Sequence, residues 1–139
     1  MRWWNFGLVV GLLIAACGSG LPQEVAGRPV VASCNEPGDD IYLPATQGPV
    51  EAQAASQAAI DCILASYDSV TAREADFVLL GTEGAKFRTI VQTLADGTVN
   101  LYWGTSGWDI YEGCDTLNYD GVFFSVDGCT ISPPTDSDE

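Results

Sequence analysis

The chain has 139 residues, and its 19 acidic against 5 basic side chains give a formal net charge of −14. A surface that negative disfavours DNA and RNA as partners, because polyanions are bound through lysine and arginine. Histidine is absent, which removes the usual base beside a serine or cysteine nucleophile.

The first element is the apolar run from Phe6 to Ala16, preceded by Arg2 and two tryptophans. As a helix it reaches about 16 Å at about 1.5 Å per residue, well short of a hydrocarbon core of about 30 Å. A positive charge, an apolar run and then small residues is the order of a secretory signal, so residues 1–16 are expected to be removed. Ile14-Ala15-Ala16-Cys17 resembles a bacterial lipobox. The resemblance implies a mature chain that starts at Cys17, lipidated on its thiol and carrying the two or more acyl chains that stable anchoring takes. Its membrane contact would then run through that lipid, with Gly18-Ser19-Gly20 as a flexible leash. Gly18, rather than aspartate, follows the cysteine, which by resemblance to the usual sorting pattern would permit outer-membrane delivery in a cell with two membranes. The alternative is ordinary secretion, with cleavage near Ala16 or Gly18 and no lipid.

Cysteine parity agrees with lipidation. Five cysteines would leave one thiol over in an exported chain, and assigning Cys17 to lipid leaves Cys34, Cys62, Cys114 and Cys129 for two disulfides in an oxidising compartment. The favoured pairing is Cys34 with Cys62 and Cys114 with Cys129, each closing a local loop. A four-thiolate zinc site is disfavoured, since no close C-x-x-C pair is present, and the sequence implies neither metal nor cofactor.

Residues 17–48 are rich in proline, glycine and acidic residues without a sustained period, and read as a linker and irregular arm pinned by Cys34. The globular domain is expected over residues 49–131. It opens with an alanine-rich helix, begun by Pro49 and acidic at Glu51, whose Ser56, Ala59, Ile60, Ile63, Leu64 and Tyr67 recur at intervals of three and four. Strands are expected at Asp76 to Leu80, Lys86 to Leu94 and Val99 to Trp103. Asp96-Gly97 signals a hairpin. A tight two-residue turn there pairs Leu94 with Val99, Gln92 with Leu101 and Ile90 with Trp103, so the helix should cover that face and leave Thr93, Asn100, Val91 and Tyr102 on the wetter one.

A second hairpin follows, Cys114 to Tyr119 and Val122 to Val126 around Asp120-Gly121. A tight turn sets Cys114 opposite Asp127, so a bond to Cys129 needs a diagonal offset or a bulge. Residues 132–139 are proline-rich and acidic, an expected disordered tail. The fold class is therefore α+β: one helix on an antiparallel sheet of about four or five strands built from hairpins and stapled by disulfides.

Candidate chemistry is sparse. Lys86 lacks the S-x-x-K spacing of a Ser-Lys site and reads as a surface lysine. Asn35 to Asp40, "NEPGDD", does not match an EF-hand loop and reads as solvated carboxylates. Asp109 and Glu112 stand near Trp103, Trp108 and Tyr111 and invite comparison with paired glycosidase carboxylates, which need a separation of about 5 to 9 Å in one pocket; loop carboxylates on an acidic surface are the simpler reading. The stretch Leu101 to Cys114, "LYWGTSGWDIYEGC", is the most unusual. Its aromatics offer a platform for a sugar ring or a partner's side chain. Tyr102, Trp108 and Tyr111 are the candidate binding surface, with Tyr102 and Trp108 expected to be the exposed pair, while Trp103 and Tyr111 also read as core residues facing the helix.

Cys62, Thr82-Glu83-Gly84, the Asp96-Gly97 hairpin, Trp108 to Cys114 and the closing Cys129 are together similar to a loose group of uncharacterised bacterial secreted or lipid-anchored domains. Ala85-Lys86 stand where such domains often carry Asp-Pro. The resemblance implies an α+β domain of unknown function and transfers no catalytic residue. The sequence thus points to a lipid-anchored extracytoplasmic binding or envelope-associated module without catalysis, taking a protein or glycan ligand. The alternative is a small secreted hydrolase or glycan-binding protein using Trp103 to Glu112.

Overall fold

The structure is a computed structural model, and it describes residues 21–36, 38, 40–81 and 84–134. The signal segment, Cys17, Thr82, Glu83, Pro37, Asp39 and residues 135–139 of the tail lie outside the described residues. A one-turn helix α1 (Gln23–Ala26) leads into short strands β1 (Ala32–Ser33) and β2 (Ile41–Tyr42), and a 3-10 turn (Ala45–Gln47) precedes the long helix α2 (Val50–Asp68). Strands β3 (Arg73–Leu80), β4 (Lys86–Thr93), β5 (Val99–Gly104) and β6 (Trp108–Cys114) follow as a meander, and β7 (Thr116–Tyr119) and β8 (Phe124–Asp127) form a separate hairpin.

The class is α+β, with one main helix packed on a multi-stranded sheet and two disulfides. The sheet has six strands and is mixed, since β1 and β2 both run parallel to β3. Parallel neighbours need a crossover, and α2 supplies it between β2 and β3. The segment read as a linker and irregular arm therefore contributes sheet and core: Val25 and Ile41 are fully buried and Leu43 nearly so. Helix α2 buries Ser56, Ala59, Ile60, Ile63 and Ser66, and its Ser56 hydroxyl accepts the Tyr42 backbone N–H at 2.8 Å. The helix ends in a Schellman arrangement, with Thr71 N–H donating to Ser66 C=O and Val70 N–H to Tyr67 C=O.

The β4–β5 register corrects the expected one by a single residue. The loop is three residues long, Ala95 to Gly97, with Gly97 at φ 89° and Asp96 Oδ1 accepting from both the backbone N–H and the hydroxyl of Thr98. Thr93 therefore faces Val99, Val91 faces Leu101 and Ile90 faces Tyr102. Because side chains alternate faces, a one-residue slip exchanges them. Val91, Val99 and Leu101 join Ala75, Phe77 and the α2 stripe in the main core, whereas Ile90 and Tyr102 lie on the reverse face in a second cluster with Val25. That face is not open to water at this end; Val25 of α1 covers it, flanked by Leu21, Trp108 and Ile110.

The second hairpin also differs, by two residues. Its loop is Asp120 to Phe123, held by Asp120 Oδ1 accepting from the Val122 and Phe123 N–H groups, and Thr116 faces Asp127. Carried back along both strands, this register sets Cys114 opposite Cys129 with no diagonal offset. Cys114 bonds Cys129 and Cys34 bonds Cys62, the pairing expected from loop closure. Phe124 anchors the hairpin over the helix-side face of the sheet, its ring 5.8 Å from Phe77 and 4.8 Å from Tyr119.

Candidate functional site

The aromatic stretch that stood out in the sequence is a strand pair. Its turn is tight because Gly104 has no side chain: a Cβ there would lie 2.1 Å from the Gly107 carbonyl oxygen. Pairing of Leu101 with Tyr111, Tyr102 with Ile110, Trp103 with Asp109 and Gly104 with Trp108 sends alternate residues to opposite faces. Trp103, Asp109 and Tyr111 belong to the helix side, and Tyr102, Trp108 and Ile110 to the reverse side. The candidate surface of Tyr102, Trp108 and Tyr111 is thus divided between two faces.

Two exposure expectations are corrected. Tyr102 is fully buried; its hydroxyl donates to Glu112 Oε2 at 2.6 Å, and burial above all, then that hydrogen bond, raises its pKa. Trp103 is 38% exposed and leans on Phe87, with ring centroids 6.4 Å apart. Trp108 is half-buried and borders a shallow groove with Lys86 and Arg88 on the reverse face. The faces of β5 are those expected, and the slip at Asp96-Gly97 exchanges Ile90 and Val91 instead. Tyr102 is buried because Val25 of α1 covers the reverse face, while Trp103 lies at the far end of the helix-side face, outside the core that α2 covers.

Asp109 and Glu112 do not converge. Asp109 is opposite Trp103 on the helix side, while Glu112 holds Tyr102 on the reverse side. The bulge that sets two residues of β6 against Asn100 restores Cys114 to the helix side after Glu112. Among the described residues, no group of three histidine, cysteine or acidic side chains is placed to hold a metal ion.

The helix side does carry a concave site. Between the sheet and the β7–β8 hairpin lies a cleft of about 370 Å³. Leu79, Leu101 and Val126 make its apolar walls, Trp103 and Tyr111 flank it from the sheet, and Phe123 flanks it from the hairpin. Thr89, Ser125 and Tyr111 supply hydroxyls. Trp103 and Phe123 stand at its rim, 38% and 48% exposed. A volume in this range, mostly apolar with a few polar groups, is that of a small-molecule seat. Phe123 reaches it because the Asp120 carboxylate fixes the loop, and the hydrogen bonds from Phe123 and Val122 hold that carboxyl below its usual pKa.

Sequence reasoning missed Phe123, which fell inside an expected strand; the Asp120-Gly121 pair was the signal, read for a shorter loop. It also missed a polar chain on the reverse face. Arg28 donates to both carboxylate oxygens of Glu74, at 2.8 and 3.1 Å; Gln92 donates to Glu74 and to Pro29 C=O. Asn100 donates to Gln92 and accepts the Gly113 N–H. These links tie the N-terminal arm to β6 across the whole sheet, and the Glu74 hydrogen bond raises the Arg28 pKa. The chain matches no family model, and no curated protein or solved structure matches it either.

Proposed function

We propose that this chain is a membrane-tethered, extracytoplasmic bacterial binding module, lipidated at Cys17, whose ligand seat is the cleft between the sheet and the β7–β8 hairpin. The carrying observation is the cleft itself: an apolar hollow of about 370 Å³ with Trp103 and Phe123 partly exposed at its mouth. Exposing large aromatics to water forgoes stability that burial would supply, and a ligand recovers it. The two disulfides support folding in an oxidising compartment. Among the described residues, no helix is long and apolar enough to cross a membrane, so tethering in this reading rests on the lipid.

Cell fractionation with intact-mass measurement tests the tether. The expected species is membrane-bound, begins at Cys17 and carries acyl mass; an unmodified mature chain that retains Cys17 would overturn it. Titration of the full chain with a neutral phenylalkyl alcohol, followed by tryptophan fluorescence, tests the seat. Saturable binding lost in Trp103→Ala is expected, and no saturable signal removes the assignment.

A further inference from the structure

We infer that the cleft is built for an organic cation: an ammonium group held at its mouth by Asp109, Trp103 and Tyr111, with an apolar tail running inward. The inference rests on the cleft being a ligand seat and adds the chemistry of what it takes.

Asp109 lies directly across from Trp103 in the β5–β6 register, with Tyr111 two residues along the same strand and therefore on the same face. Directly opposed side chains start about 4.5 to 5.5 Å apart at Cβ, so Asp109 neighbours Trp103 on this face, next to but outside the residues that line the cleft. The two ion pairs among the described residues, Arg28 with Glu74 and Arg88 with Asp76, leave Asp109 out. A carboxylate on the same face as two neighbouring aromatic side chains suits an ammonium, which is attracted both by the charge and by aromatic faces.

The rest of the cleft agrees. Its lining contains no lysine or arginine, and its polar groups are hydroxyls. Lys86 and Arg88 belong to the opposite face, paired with Leu80 and Val78, where Arg88 is engaged with Asp76. A chain with net charge −14 attracts cations and repels anions at long range. An acidic ligand of the same shape would meet repulsion at the mouth and find no counter-charge inside.

The test compares three probes with one apolar body: a phenylalkyl trimethylammonium, the phenylalkanoate of matched length and the corresponding alcohol, each titrated into the full chain. The ammonium is expected to bind about fivefold tighter than the alcohol, and the carboxylate more weakly than both. Asp109→Asn should erase the ammonium's advantage while leaving alcohol affinity unchanged. Asp68→Asn, removing one charge at the exposed end of α2, should preserve that advantage and so separate local recognition from the overall field. Equal affinities, a preference for the carboxylate, or equal effects of the two substitutions would overturn the cation assignment while leaving the seat intact. Failure of all three probes to bind would remove both.

Discussion

Glu74 and Gln92 face each other in the β3–β4 register, and Gln92 Nε2 donates to Glu74 Oε1 at 2.8 Å while Arg28 donates to both oxygens of that carboxylate. This junction joins the arm that carries Val25 to the sheet that carries Tyr102. The Arg28 and Glu74 side chains are only 17% and 19% exposed, so an unpaired partner would be poorly solvated. Glu74→Ala should therefore cost about 2 kcal/mol, toward the lower side for breaking such a pair because some water reaches it. Urea denaturation measures it, and a loss under about 0.5 kcal/mol, typical of an exposed pair, would show that the junction is ornamental.

Val70 occupies the left-handed position that ends α2, at φ 54°, where a β-branched residue is strained and glycine is the usual occupant. The residue is 49% exposed, so little packing is lost on its removal. Val70→Gly should stabilise the chain by about 0.5 to 1 kcal/mol, the relief of left-handed strain less the entropy glycine adds to the unfolded state. A lower denaturation midpoint than the wild type would refute this reading of the helix end.

Alkaline pH should unfold the protein through Tyr102. Its pKa is raised by burial and by its bond to Glu112, whereas an unfolded tyrosine ionises near about 10. Above that pH the unfolded chain has released a proton that the folded chain keeps, so stability is unaffected below about pH 10 and falls as pH rises beyond it. Tyr102→Phe should lower stability at neutral pH by about 1 kcal/mol through the lost hydrogen bond, yet make the alkaline decline shallower. Parallel declines in variant and wild type, followed by denaturation at stepped pH, would place the sensitivity elsewhere.

Cys34 and Cys62 close a separation of 28 residues and fasten the arm to α2. Replacing both with serine should cost about 3.5 kcal/mol on the loop-entropy scale. Hydrogen exchange should rise first around Ala32, Ser33 and Val25, which depend on the arm's position. Unchanged protection there would mean that the Glu74 junction holds the arm alone.

The helix stripe, the five strands β3, β4, β5, β7 and β8, and both disulfide pairings were legible because each rests on a local pattern: a period of three and four, runs of β-branched residues, loop closure. The faces of β4 were not. Asp96 and Asp120 each bind backbone N–H groups of their own loops, which lengthens a nominal two-residue turn to three residues in one case and four in the other. One added residue exchanged Ile90 with Val91; two added residues kept the faces and aligned Cys114 with Cys129. Strand β6 was hidden because Trp108, Ile110 and Tyr111 place apolar side chains on both faces, so no alternation shows. Val25, Ile41 and Leu43 were hidden because elements of two to four residues are too short to display a period. The cleft followed from none of these singly, since it exists only once the register and the β7–β8 loop are both set.

The most direct test of the ligand seat is a residue-resolved titration of the isotopically labelled full chain with a neutral phenylalkyl alcohol, read by nuclear magnetic resonance. Shifts should concentrate at Leu79, Leu101, Trp103, Tyr111 and residues 123–126, which surround the cleft, with Trp108 and the reverse face silent. Saturating shifts centred instead on Trp108, Lys86 and Arg88 would move the seat to the opposite face and contradict the account.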